Sequence, residues 1–329
     1  MNRLFIFICL SLSLVACHPK NASNAANSAS NNIKKDSAEG DLVIPGFYKK
    51  QIELNHSKLT GTTGDFTSFK KYLKTLDTNL LAAPYVLDYI KTCLHLTDTL
   101  LRDSVFLYYH VEFNNVIRKL SDSVITQYDY TIKAIDTGLK SPDALAFTDN
   151  LNQCGIEYVE NEVDGDYIQI KPEYLYDNFK NYVTKDICKY LQFTDIETKE
   201  GYSVDGGLSI TFDQLYQRIK RWEKFANTYP HSLYRKTAIA NYNMYMNTLI
   251  CGMDNSPVYD YDSSYALLPE IKTLYQKIMK DDTASRTTKI ITVYYDSIAA
   301  HNFNRNDSVI TQLTRKYKLD DLVNAPSLK

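Results

Sequence analysis

The stretch Arg221–Tyr245, RWEKFANTYPHSLYRKTAIANYNMY, reads as two helices with a sharp turn between them. From Phe212 onward, Leu215, Tyr216, Ile219, Trp222, Phe225, Ala226 and Tyr229 recur at helical spacing and form the strongest apolar stripe of the chain. Pro230 cannot continue that helix, because it lacks an N–H and its ring collides with the preceding turn. Ser232 then offers a hydroxyl that can accept from the exposed amides at the start of a second helix. Tyr234, Ala238 and Tyr242 share a face of that helix, and the small Ala238 permits close helix approach.

The same pattern extends outward in both directions. Asp65 can cap a helix carrying Phe66, Phe69, Leu73 and Leu76, and Pro84 starts another through Val86, Tyr89, Ile90, Cys93 and Leu94. Asp103 opens a third, with Phe106, Tyr109, Phe113, Val116, Ile117 and Leu120 in register, and a fourth runs from about Asp122 to Asp136. Ser141-Pro142 starts a helix that Gly155 stops. There the period changes. IEYVENEVDGDYIQIK alternates apolar and polar residues around Asp164-Gly165, the signal of a β-hairpin, and its acidic residues read as a solvated face. Helices resume at Pro172, and the turn-rich KEGYSVDGGLSI leads into the Phe212 stripe. Asp205-Gly206-Gly207 lacks the Lys-Ser/Thr of a phosphate loop and the acidic series of a calcium loop. Short connections between amphipathic helices predict a mainly α fold of antiparallel helical hairpins with one small β-hairpin. The expected layout is an N-terminal helical region at 42–140 and a C-terminal one at 141–329, the hairpin lying near 156–170.

Phe225, Tyr229, Pro230, Ser232, Tyr234, Ala238 and Tyr242 resemble the helix junction of tetratricopeptide-like repeats in outer-membrane lipoproteins of the assembly-factor type. A fainter echo follows 53 residues on, where Tyr275–Ile278 parallels Trp222–Phe225, Ser285 parallels Ser232 and Tyr295 parallels Tyr242. That interval departs from the roughly 34 residues of a regular array, and Asp282-Thr283 replaces Tyr-Pro, so the pattern is of irregular hairpins. The order GDYIQIKPEYLYDNF, VDGGLSI, WEKF, CGMDNSPVYD is also similar to that of uncharacterised secreted helical proteins of Bacteroidota. These resemblances imply a helical partner-binding body and bring no functional residues with them.

The N-terminus is an address. Arg3 precedes an apolar run from Leu4 to Val15, the n-region and h-region of a secretory signal and too short to span a bilayer. Leu14-Val15-Ala16-Cys17 resembles the lipobox of bacterial lipoproteins, which implies a signal peptide over residues 1–16 and lipidation of Cys17, palmitate being one acyl group it would carry. Several acyl chains at about 0.8 kcal/mol per CH2 would make that attachment stable. Residues 17–41 are rich in Asn, Ser, Ala and Lys and read as a flexible tether that holds the body roughly 25 to 30 Å from the lipid. His18, Pro19, Lys20 and Asn21 put no Asp beside Cys17 and no acidic cluster just after it, which by analogy with lipoprotein sorting points to the periplasmic face of the outer membrane.

Net charge is −2 at pH 7 and pI is near 6.3, so no broad positive field supports a nucleic-acid role. Tyrosine is the compositional outlier, 27 Tyr against 13 Phe and one Trp, and most Tyr fall on the apolar stripes as core positions. Cys93, Cys154, Cys188 and Cys251 are widely spaced with no CxxC. They read as packed thiols, although an envelope location permits a bridge in any of three pairings. A zinc site has no close ligand pair to nucleate it, and no cofactor or metal is implied.

The chain has no GxSxG, HExxH, GxxxxGK[ST] or strand-linked GxGxxG. His95, His110 and His231 read as satisfied helix or turn histidines. In CGMDNSPVYDYDSS, Asp254, Asn255, Asp260 and Asp262 gather oxygen ligands beside Tyr259 and Tyr261. That loop is a candidate cation or sugar site; the alternative is a set of Asx turns, with Asp262 or Ser263 capping the helix of Leu267, Leu268, Ile271, Leu274 and Ile278. The expectation is a lipid-anchored envelope protein that acts as a non-enzymatic scaffold or protein-binding module. The alternatives are a glycan-binding lipoprotein and, after it, a hydrolase with two carboxylates in a cleft. The expected partners are the membrane through Cys17 and an envelope protein, or else a glycan, and not nucleic acid.

Overall fold

The computed structural model describes residues 73–74, 83–95, 99–127, 142–159, 167–261 and 265–319, all within one unit, Leu42–Lys329. Ten helices and two two-stranded sheets occur among these residues, a mainly α fold with small hairpins. Cys17, the tether and, apart from residues 73–74, the Asp65 helix lie outside the described residues; Leu73 is buried.

The first helices are α1 (Ala83–His95) and α2 (Thr99–Gln127). The sequence predicts a break near Ser121-Asp122, but α2 runs through it. Asp103 does not open this helix. It is buried in the second turn and accepts from the backbone N (2.9 Å) and Oγ1 (2.8 Å) of Thr184, the residue that precedes α5. A carboxylate that the local pattern assigns to one helix end thus secures another.

Helix α3 (Pro142–Gln153) ends before Gly155, whose φ of +72° turns the chain into β1 (Ile156–Val159). A Cβ at Gly155 would lie 2.1 Å from the Tyr174 ring, so the position tolerates no side chain. β1 pairs antiparallel with β2 (Tyr167–Ile170), and buried Ile156 and Ile168 join the core as β2 packs against α2. The register places Val159 opposite Tyr167, whereas a two-residue Asp164-Gly165 turn would place it opposite Ile170. The register of the described strands thus differs by three residues from the one that an Asp164-Gly165 turn would impose.

Helices α4 (Pro172–Phe179) and α5 (Lys185–Glu200) pack together, and a second hairpin follows, β3 (Ser203–Val204) with β4 (Gly207–Leu208). Asp205 and Gly206, with φ of +47° and +68°, supply its two-residue turn of the kind that fits strand twist. The sequence signal, Asp-Gly between short apolar segments, was there to be read as a strand pair. Helix α6 (Phe212–Thr228) starts with a capping box in which Thr211 and Gln214 satisfy each other's backbone amides. It contacts α5, α7 (Arg235–Cys251), α8 (Pro269–Lys280) and α9 (Arg286–Ala299), and α10 (Asp307–Tyr317) packs on α9 and α7.

The Phe212 stripe is the centre of this body. Leu215, Ile219, Trp222 and Ala226 are fully buried, and Trp222 sits among Tyr190, Phe193 and Phe225 with ring centroids 5.6 to 5.9 Å apart. The excess tyrosine is largely core: Tyr109, Tyr242, Tyr259, Tyr275 and Tyr294 are fully buried. Among the described residues no helix is long and apolar enough to cross a membrane.

Candidate binding cleft

Among the described residues, one face of α6 is not covered by other helices. Gln217, Lys220, Arg221, Lys224, Asn227 and Thr228 recur along it and form one wall of a cleft of about 950 Å3. The opposite wall is the α8–α9 turn (Asp282, Ala284, Ser285) with Arg286 and Lys289 of α9, and Tyr317 at the end of α10 closes one side. Amphipathic spacing explains the α6 wall, because the residues that bury Trp222 and Phe225 leave the next positions around the helix polar.

Five cations line the cleft against two carboxylates, Glu223 and Asp282. Glu223 is not available to neutralise them, since it is buried and caps α9. Its oxygens accept from Arg286 N (2.6 Å), Thr287 N (3.3 Å) and Thr287 Oγ1 (2.5 Å). Ser285 adds a cap through Thr288 N at 3.0 Å, so the positive end of α9 is satisfied internally. The Arg286 guanidinium donates to the Tyr317 carbonyl and lies 5.8 Å from the Tyr242 ring centroid.

The other cations differ in their ties. Lys220 pairs with Asp281 at 2.6 Å, and Tyr216 donates to the same oxygen at 2.8 Å. The Lys220 hydrogen bond, helped by Tyr216, holds the Asp281 carboxyl below the usual range. Arg221 reaches from the cleft wall to Glu197 at 3.2 Å. Lys224 and Lys289 are exposed, and their ammonium groups make no hydrogen bond or ion pair among the described residues.

Behind this wall is a buried polar cluster. Glu197 accepts from Trp222 Nε1 at 3.1 Å and from Tyr245 OH at 2.8 Å. Burial raises its carboxyl pKa, while the hydrogen bonds from Tyr245 and Trp222 and the charges of Arg218 and Arg221 oppose that shift. Arg218, 1% exposed, donates to Glu200 at 2.9 Å and to the Gly201 carbonyl at 2.5 Å, fixing the end of α5. These contacts lock α6 against α5 and α7, so the cleft wall stands on a rigid support.

Of the residues singled out in CGMDNSPVYDYDSS, Asn255 and Asp260 are held by different neighbours. Asn255 donates its backbone N–H to the Gly206 carbonyl at 3.0 Å and its side-chain amide to the Asp205 carbonyl, while Leu208 N donates to Ser256 Oγ at 2.9 Å. The Asp205-Gly206 turn and the Asn255–Ser256 segment thus hold each other. Asp260 instead joins its loop by backbone bonds to Ala266 and Tyr265, and Asp262 lies outside the described residues. No group of three potential metal ligands occurs among the described residues. Helix α8 begins at Pro269 with no side-chain cap at Leu268, later than the start expected near Asp262. Pro269 supplies the fixed φ for the first turn, and Leu267 is held in an extended bridge to Tyr259.

Cys154, Cys188 and Cys251 are free thiols, and burial pushes the Cys154 thiol up to about 12. Burial also lowers His110 to about 4, and its Nδ1 lies 3.2 Å from Tyr234 OH. His231 is exposed. Sequence reasoning missed the cationic cleft because its two walls are far apart in the chain. The available signal was the run RIKRWEK, which puts Arg218 inside and Lys220, Arg221 and Lys224 toward the polar side of the best helix. The arrangement is suited to holding anionic groups by charge and hydrogen bonding. No protein-family model, curated protein or solved structure matches the chain.

Proposed function

We propose that this chain is a lipid-anchored envelope protein whose irregular, tetratricopeptide-like helices form a non-enzymatic protein-binding module. The signal-like run ending at Cys17 supports the anchor, and the absence of sorting acids after it supports the periplasmic face of the outer membrane. The observation that carries the binding reading is the polar cleft between α6 and α9. It has a rigid wall braced by the Glu197–Trp222–Tyr245 cluster and a lining of cations and amides suited to recognition.

The test is a photo-crosslinking residue at Asn227 in the cleft, compared with one at exposed Lys185, in cells that make the full chain. A discrete protein adduct at Asn227 and none at Lys185 is the expected result. Equal adducts at both positions, or none at either, would remove the cleft as a partner site. A Cys17→Ser variant that still carried a processed, lipidated N-terminus would remove the anchor.

A glycan-binding reading draws on a different place. Tyr261 and Tyr265 are exposed, their ring centroids lie 6.0 Å apart, and the Arg305 guanidinium lies 5.4 Å from Tyr261. Retention on immobilised glycan that Tyr261→Ala and Tyr265→Ala abolish would favour this reading over the first.

A further inference from the structure

We infer that the occupant of the α6–α9 cleft is a short, extended, acidic peptide segment of another protein. The inference rests on the binding reading above and names its ligand chemistry. The α6 wall from Gln217 to Thr228 is about 16 Å long at 1.5 Å per residue. An extended strand covers that length with about five residues. Gln217 stands near one end of the wall and Asn227 near the other, and each side-chain amide offers both a donor and an acceptor to a peptide backbone.

The charge between these amides fixes the sign of the ligand. Lys224 on α6 and Lys289 on α9 line opposite walls and carry no partner among the described residues. The carboxylate between the walls, Glu223, is turned away into the amides of α9. Asp282 accepts from Ala284 N at 3.1 Å in its own turn, so it too is engaged locally. A carboxylate-bearing segment would complete the two free ammonium groups. A basic segment would face a net positive lining, five cations against Glu223 and Asp282, with Lys220 paired to Asp281.

The experiment measures binding of fluorescent Glu/Ser and Gln/Ser peptides of about five residues to the purified full chain by anisotropy. The Glu/Ser peptide is expected to bind at least about tenfold more tightly, and to weaken as salt rises. Lys224→Glu with Lys289→Glu should abolish that preference and shift it to a Lys/Ser peptide, with an unchanged far-UV spectrum and melting midpoint. Lys224→Gln with Lys289→Gln should lose the preference without gaining the reverse one. Equal binding of the Glu/Ser and Gln/Ser peptides, or a preference that survives charge reversal, would overturn the inference. So would binding of a sulfated polysaccharide in the cleft with no binding of the acidic peptide. If the Asn227 crosslink persists while the acidic peptide fails, the charge assignment falls and the protein-binding reading stands.

Discussion

The α6–α7 pair and its echo, α8–α9, use the same kind of sequence and are stabilised in different ways. In the first, α7 is buried on nearly every side: Ala238, Ile239, Tyr242, Met246, Leu249 and Ile250 are all 1% exposed or less. Its start has no side-chain cap on the helix itself, and Ser232 only accepts from Tyr234 N at 3.3 Å. In the second, α9 buries Ile290, Ile291, Tyr294 and Ile298 but leaves Lys289 and Val293 to solvent. Its start is capped twice, by its own Ser285 and by Glu223 of α6. A helix packed on all sides is held by its environment, whereas one with an open face must be fixed at its end. The open face is also what leaves a cleft.

Glu223→Ala attacks this difference most directly. It removes the acceptor for two backbone amides and a hydroxyl at a site 6% exposed, and unsatisfied buried donors and a lost charged cap together cost about 3 kcal/mol. Urea unfolding followed by circular dichroism should show that loss, with hydrogen exchange rising first in α9 rather than in α7. A loss below about 1 kcal/mol would mean that α9 is held by packing, as α7 is, and the contrast would collapse.

The turn of the first pair has a tie that the echo lacks. Tyr234 stacks on Tyr190 with ring centroids 3.7 Å apart and meets His110 of α2. Burial puts His110 at about 4 in the folded state, below the ordinary 6.5, so the unfolded chain takes up the proton first. The neutral ring therefore contributes its full stability above pH 6.5, and this contribution is lost as pH falls through about 4. Wild type should lose stability across that window faster than His110→Gln, measured as the difference between their melting midpoints from pH 7 to pH 4. Parallel curves would show that protonation of His110 does not load the turn.

How much of this was legible depended on how local the cause was. Pro172, Gly155 and the Phe212 stripe act within one or two turns of the chain, and the elements they predict are present. Asp103 and Glu223 were not legible, because each caps a helix far away in sequence, at Thr184 and at Arg286. Local pattern assigns Asp103 to the nearest helix start and gives Glu223 no capping role. At the position the echo aligns with Tyr242, Tyr295 is half-buried, and the fully buried ring on α9 is its neighbour Tyr294. The cleft shares that non-local origin. Lys224 and Lys289 look like ordinary solvated lysines until α6 and α9 are brought together.

The smallest expected effects compare the two serines that the echo aligns. Ser285 accepts from the N3 amide of α9 at 3.0 Å in the geometry of an N-cap, and its loss to Ala should cost about 1 kcal/mol. Ser232 stands two residues before the N-cap position of α7 and accepts at 3.3 Å from an amide outside the helix. Ser232→Ala should therefore cost no more than about 0.5 kcal/mol, the lower end of the capping range. If the pair shared one junction design, the two losses would be equal in matched urea titrations. An unequal pair would mean that the matching serines do different work, because burial has already fixed α7 and has left α9 to be fixed from its end.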